Sequence, residues 1–220
     1  MKKITLLLIL TTVLFSCKQD SKISLESVSA GTLDSVKTIQ KNKKSIKDND
    51  KSIYTKYEYT DSKGKNIVLQ NSLPKGGIRY TDFKGNKYIY AVFWTRIINE
   101  TDNSIELNID FPIDSYEIPA LPAKYYKTLI PSDTMTIEKR PLFNYGLTNL
   151  DPFFDKNINK TSSLKRTIKP NESTGFYVVI LRLFGEDQYG VLRTEFSLKG
   201  QNLFYKIRDK EIKCGSITIK

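Results

Sequence analysis

The chain has 220 residues with 35 basic against 24 acidic side chains, a formal net charge of +11, no histidine, and cysteines only at positions 17 and 214. The lack of histidine excludes Ser-His-Asp and Cys-His catalysis, histidine zinc sites and histidine general bases together. Two cysteines cannot build a thiolate zinc or iron–sulfur site, and no phosphate-loop, dinucleotide or G-x-S-x-G pattern occurs. No cofactor is therefore expected.

At the N-terminus Lys2 and Lys3 precede an apolar run, Ile4 to Phe15, interrupted only by threonines. The run is too short to cross about 30 Å of hydrocarbon, which takes about 20 helical residues, so an uncleaved anchor is the weaker reading. Its charge and length fit a removable secretory signal. Leu14-Phe15-Ser16-Cys17 resembles a bacterial lipobox, with leucine at −3 and a small residue at −1. The resemblance implies a signal peptide over residues 1–16, a diacylglycerylated Cys17 and a lipid-anchored protein of the cell envelope. Lys18, not aspartate, follows Cys17, so the inner-membrane retention signal of enteric bacteria is absent and an outer-membrane address is expected, with the domain on the periplasmic or surface side. Two or three acyl chains hold a protein to a bilayer where one does so only marginally, at about 0.8 kcal/mol per buried CH₂.

Residues 17–52 lack aromatic side chains and are rich in Ser, Lys, Asn and Asp, the composition of a flexible tether. Basic residues comprise 28 lysines against 7 arginines. That balance describes a solvated lysine surface, not a set of arginine forks aimed at phosphates or base edges, and nucleic acid is not an expected partner.

From Ile53 the apolar period becomes two. YTKYEYT (54–60) and NIVLQN (66–71) flank a turn, and YTDSKGK (59–65) is echoed by YTDFKGN (80–86), two Asp-to-Gly reversals of hairpin type. One acid per copy beside lysines does not make a calcium loop. KYIYAVFWTRIIN (87–99) is apolar on both faces, as a central strand must be. IELNIDF (105–111) turns Ile105, Leu107, Ile109 and Phe111 to one side, and GFYVVILRLF (175–184) separates Phe176, Val178 and Ile180 from Val179, Leu181 and Leu183. Further strands are expected in 191–198, in 203–208 and at the C-terminus, where Cys214 is read as a small buried hydrophobe.

An irregular insert is expected at about 112–163, with six prolines and one short helix at 151–158 carrying Asp151 as N-cap and Pro152 at its first position. It holds the candidate binding residues Tyr125, Tyr126, Phe143, Tyr145, Phe153 and Phe154. Aromatics on rigid loops suit an envelope protein or glycan; the alternative is that these rings fold back to plug an open end of the fold. Glu106, Asp110, Asp114 and Glu117 are the carboxylates a glycan-cleaving enzyme would need in opposed pairs.

Short strands with polar turns argue an all-β antiparallel sandwich over 53–220. Arg166 to Ser173 resembles the strand-proline-turn-strand connection of immunoglobulin-like domains, and the whole is similar to uncharacterised envelope lipoproteins of the Bacteroidota. That resemblance implies a non-enzymatic binding or scaffolding module, with a carboxylate-dependent glycan-active enzyme as the alternative. Oligomeric state is open.

Overall fold

A strand with two apolar faces needs cover on both, and residues 87–99 set the architecture for that reason. The computed structural model describes residues 40–45, 50–112, 116–118, 121–184 and 192–220. Residues 1–16, Cys17, Asp114 and most of 17–52 lie outside the described residues. The strands are β1 (Gln40–Ser45), β2 (Ile53–Thr60), β3 (Asn66–Ser72), β4 (Lys75–Thr81), β5 (Lys87–Asn99), β6 (Ile105–Phe111), β7 (Tyr116–Ile118), β8 (Leu121–Leu129), β9 (Ser162–Ile168), β10 (Ser173–Leu183), β11 (Thr194–Lys199), β12 (Asn202–Ile207) and β13 (Lys210–Ile219). Helix α1 covers Leu150–Asn157. The larger sheet runs β1-β2-β3-β5-β10-β8-β7, with β4 also paired to β5; the smaller runs β11-β12-β13-β6-β9. Neighbouring strands pair antiparallel in both sheets, and the fold is the expected two-sheet sandwich.

The alternation in β5 and β10 sorts their side chains as the sequence requires. Phe93, Ile97, Phe176, Val178 and Ile180 join Ile105, Leu107, Ile109, Phe111 and Cys214 in the core between the sheets. Tyr90, Val92, Trp94, Tyr177, Val179 and Leu181 face outward and form a second apolar layer under the insert. Leu183, at the end of β10, is half exposed. Val178 sits at the centre of the first layer with no exposure. Val178→Ala is expected to lower the unfolding free energy by about 1–3 kcal/mol through lost methyls and the cavity left behind. Urea titration would read the loss as a shifted midpoint with an unchanged slope.

The two echoed turns are the same structure twice. Asp61 accepts from the backbone N–H groups of Lys63 and Lys65, both at 2.9 Å, and Asp82 accepts from those of Lys84 at 2.9 Å and Asn86 at 2.8 Å. Gly64 and Gly85 adopt φ of 80° and 84°, which the turn demands of its fourth residue. At the far end, Asn171 (φ 60°) after Pro170 carries the chain from β9 in the smaller sheet to β10 in the larger.

Three expectations need correction. The described backbone at Gln40–Ser45 is a strand paired with β2, inside the lysine-rich segment read as tether. The insert is not wholly irregular: β7 and β8 extend the larger sheet, and Tyr125 and Tyr126 lie on β8. Pro122 hid that strand, since a proline demotes a run to non-strand; it lies outside the Tyr126–Leu129 stretch that pairs with β10, where no ladder donor is required of it. Helix α1 begins two residues before the expected start, with Asn149 in place of Asp151 as N-cap, in the left-handed region and with no capping side chain. Pro152 is its third residue, still within the first turn, whose N–H groups have no intrahelical partner.

Side chains of one sheet close the edge of the other. β11 is an edge strand of the smaller sheet, and a bare edge invites pairing with a second chain. The Asn71 carboxamide on β3 donates to the Phe196 carbonyl at 3.0 Å and accepts from the Phe196 N–H at 2.9 Å. Two residues on, the Leu198 N–H donates to the Tyr59 hydroxyl at 2.7 Å. A side-chain amide and a phenol thus take the place of a neighbouring strand.

Candidate functional site

Of the six aromatics expected to bind, the structure places three in the interior. Tyr126 belongs to the core between the sheets, while Tyr145 and Phe154 belong to the outer layer. Phe154 packs edge-on against Tyr80 and Tyr90, each at a centroid distance of 5.0 Å. Tyr145 donates its hydroxyl to the Leu73 carbonyl at 2.6 Å and accepts at its own carbonyl from the Tyr177 hydroxyl at 2.7 Å. Tyr145 and Phe154 thus cover the outer face of the larger sheet, while Tyr126 packs between the sheets. Phe153 is half-buried beside Phe154, and Phe143 is 74% exposed. The backbone of Tyr125 is in β8, and its side chain lies outside the described residues.

Of the four carboxylates, Asp114 and the side chain of Glu117 lie outside the described residues. Glu106 and Asp110 point away from the core of β6. Glu106 is flanked by Lys165 and Lys220, each at 3.4 Å, and the Lys165 contact first, against a burial contribution of opposite sign, holds its pKa below the ordinary range. A general acid in glycoside cleavage needs a raised pKa. Among the described residues no group of three His, Cys, Asp or Glu side chains could hold a metal ion.

Two hollows remain. The larger, about 400 Å³, opens between the sheets and is lined by Ile89, Ala91, Ile180 and Leu192 with Tyr126 and Arg182 at its polar side. It continues the apolar core. The second, about 280 Å³, lies on the outer face of the larger sheet, and its lining is of another kind: Trp94, Arg96, Glu138, Arg140 and Ser173 with the hydroxyl residues Thr134, Thr136 and Thr174.

The strand register builds this second hollow. Gln70, Arg96 and Gly175 stand opposite one another on β3, β5 and β10. Gly175 lets the segment Thr134–Thr136 lie directly on the sheet, because a Cβ there would stand 2.3 Å from the Met135 carbonyl oxygen. The Met135 N–H then donates to the Gly175 carbonyl at 3.2 Å, and the 3-10 turn Ile137–Lys139 forms the rim. Arg140 follows that turn and lies over the Trp94 ring, 4.7 Å from its centroid, with Asp50 as its ion-pair partner.

Comparison with known proteins returns no match. No family model fits the chain, and neither a curated protein nor a solved structure is significantly similar to it. The site therefore stands on its own geometry.

Arg96 is the feature that geometry isolates. Its Nε and Nη2 donate to the Ser173 hydroxyl at 3.2 and 3.0 Å, and no carboxylate pairs with it among the described residues. Burial first, and the neighbouring Arg140 second, lower its pKa from the guanidinium range, though it remains charged. Glu138 on the rim is held ionised by its own backbone N–H and by the Thr136 hydroxyl. The indole N–H of Trp94, buried beneath Arg140, has no acceptor among the described residues.

Sequence reasoning passes over this site because Arg96, Arg140 and Ser173 are 33 to 77 residues apart and match no motif. One signal is available: in a chain with 28 lysines and 7 arginines, an arginine within the central strand stands apart from the solvated lysine surface.

Proposed function

We propose that the protein is a lipid-anchored component of the bacterial cell envelope whose two-sheet domain is a non-enzymatic binding module. It engages its partner, an envelope protein or glycan, at the hollow on the outer face of the larger sheet. The observation that carries the binding part is Arg96: a charged, half-buried fork on a central strand, bonded to a neutral hydroxyl in a hollow large enough for a small group. The side chains around it recognise and do not turn over. Arginine does not give up its proton at working pH, and Glu138, the hollow's one lining carboxylate, is stabilised as an anion. The anchoring part rests on Leu14-Phe15-Ser16-Cys17 after a short apolar run. No helix among the described residues is long and apolar enough to cross a membrane.

Two measurements test this reading. Cells given an alkyne fatty acid should label the wild-type chain and leave Cys17→Ala unlabelled; equal labelling of both would rule out Cys17 as the anchor. The immobilised chain should retain a solubilised envelope glycan or protein saturably. Failure to retain anything from an exhaustive envelope extract would rule out the binding module.

A further inference from the structure

We infer that the hollow beside Arg96 is a carboxylate-recognition site, taking one small acidic group from its ligand. The inference deepens the binding-module reading and rests on it.

The case is one of charge and shape. Two cationic side chains line the hollow, Arg96 and Arg140, and two more, Lys75 and Lys139, tie down the backbone around it. Apart from Arg96, each is already engaged. Arg140 pairs with Asp50 and covers Trp94; Lys75 donates to the carbonyls of Arg140 and Leu142, both at 2.7 Å, and lies over the Tyr145 ring. Lys139 donates to the Thr134 carbonyl at 2.9 Å. Of the carboxylates nearby, Asp50 is committed to Arg140 and Ser52 and Glu138 to its own turn and Thr136, while Asp133 acts on Tyr177, the ring over which Lys139 lies. Arg96 is the member left without a carboxylate partner among the described residues.

Taking a guanidinium part-way out of water without a counter-ion is unfavourable, and what normally compensates is an oxyanion meeting the fork with two parallel bonds. Here Ser173 Oγ occupies the bidentate position, between Nε and Nη2. A hydroxyl satisfies hydrogen bonds but supplies no charge. The outward donors of Arg96 remain for an incoming group, with Thr134 of the strap along the same wall; the Thr174 hydroxyl turns away to accept from Arg166 at 2.7 Å. A carboxylate can meet the remaining edge of the fork with two in-plane bonds. The volume, about 280 Å³, lies just under the range of pockets for drug-sized ligands and suits a single sugar acid or acidic side chain.

Trp94 is the chain's one tryptophan and lines the hollow, so its fluorescence reports on the site without a label. The full chain would be titrated with D-glucuronate, N-acetylaspartate, sulfate and D-glucose, following Trp94 emission and heat release. Both carboxylates should bind saturably, sulfate at least about tenfold more weakly, and glucose not at all. Glucuronate in the lead would identify a glycan source, N-acetylaspartate a protein source. Arg96→Lys keeps the charge and loses the fork, and should weaken carboxylate binding about ten- to a hundred-fold. Ser173→Asp places a counter-ion inside the molecule; it should abolish binding and raise the melting temperature, which a merely packing role for Ser173 would not do. The inference is overturned by the absence of saturable binding for both carboxylates, by equal affinity for glucose or sulfate, or by a Ser173→Asp chain that binds as the wild type does. If both carboxylates fail while the wild-type chain still retains envelope material, the carboxylate assignment falls and the binding module stands.

Discussion

Asn71→Ala should destabilise the protein by about 3–5 kcal/mol, far more than deletion of an ordinary surface amide. Asn71 is buried, and all four of its hydrogen bonds stay within the protein. It donates to Thr55 Oγ1 and to the Phe196 carbonyl, both at 3.0 Å, and accepts from Thr95 Oγ1 at 3.1 Å and from the Phe196 N–H at 2.9 Å. Alanine leaves both backbone groups of Phe196 without partners in the core interface, and each orphaned group costs about 1–3 kcal/mol. Phe196 itself is fully buried and packs against Phe111, Phe176 and Tyr205, so no easy route admits water to replace the lost amide. Asn71→Asp separates lost donors from lost acceptors. It keeps acceptors for the Phe196 N–H and Thr95, removes both donors, and buries a charge; its loss should match or exceed that of alanine. Denaturant unfolding monitored by circular dichroism measures both. A loss below about 1 kcal/mol for alanine would mean that the edge of β11 does not depend on this contact.

The same residue illustrates what is legible in the chain. NIVLQN (66–71) reads as a strand on period alone, and it is one. Nothing in the six letters says that its last residue will serve as a substitute strand for a segment 125 residues away. Local pattern carries the sorting of Val178 from Val179, or Phe93 from Val92, because a strand's period of two puts neighbours on opposite faces whatever lies beyond them. It carries the paired turns at Asp61 and Asp82 as well, since those bonds span no more than four residues. Contacts made across the fold leave no such trace. The aromatics of the insert are visible as a group; that Tyr145 and Phe154 become the roof of the larger sheet depends on where β4 and β5 present Tyr80, Tyr90 and Trp94. The hollow at Arg96 is further still from the sequence, because it needs the register of three strands, a glycine on one of them and a strap laid over it.

Gly215→Ala is expected to have the largest single effect, at or above about 4 kcal/mol, with loss of the folded spectrum at about 37 °C. Glycine in a strand is ordinarily a weakness, for it adds chain entropy and packs nothing. Its presence in β13 is explained by distance. A Cβ at Gly215 would stand 1.9 Å from the Asn108 carbonyl oxygen and 2.9 Å from the Asn108 carbonyl carbon, both backbone atoms that no rotamer change can move aside. Gly215 pairs with Ile109 on β6 and Leu203 on β12, next to the bulge that offsets β12 against β13. The strand lies at the centre of the order β11-β12-β13-β6-β9, so any displacement that relieves the clash separates the sheet into halves. It would also shift the neighbouring Cys214, buried in the core with its thiol pKa raised by that burial. Gly200→Ala supplies the comparison. Gly200 has a left-handed φ of 61° but open space within 4 Å of where an added methyl would stand. Only conformational strain of about 1 kcal/mol applies there. Solubility and urea midpoints of the two variants, measured side by side, separate crowding from backbone preference. Equal midpoints would show that β6 and β13 can part at Asn108 without cost, and the close approach would then have no part in holding the smaller sheet together.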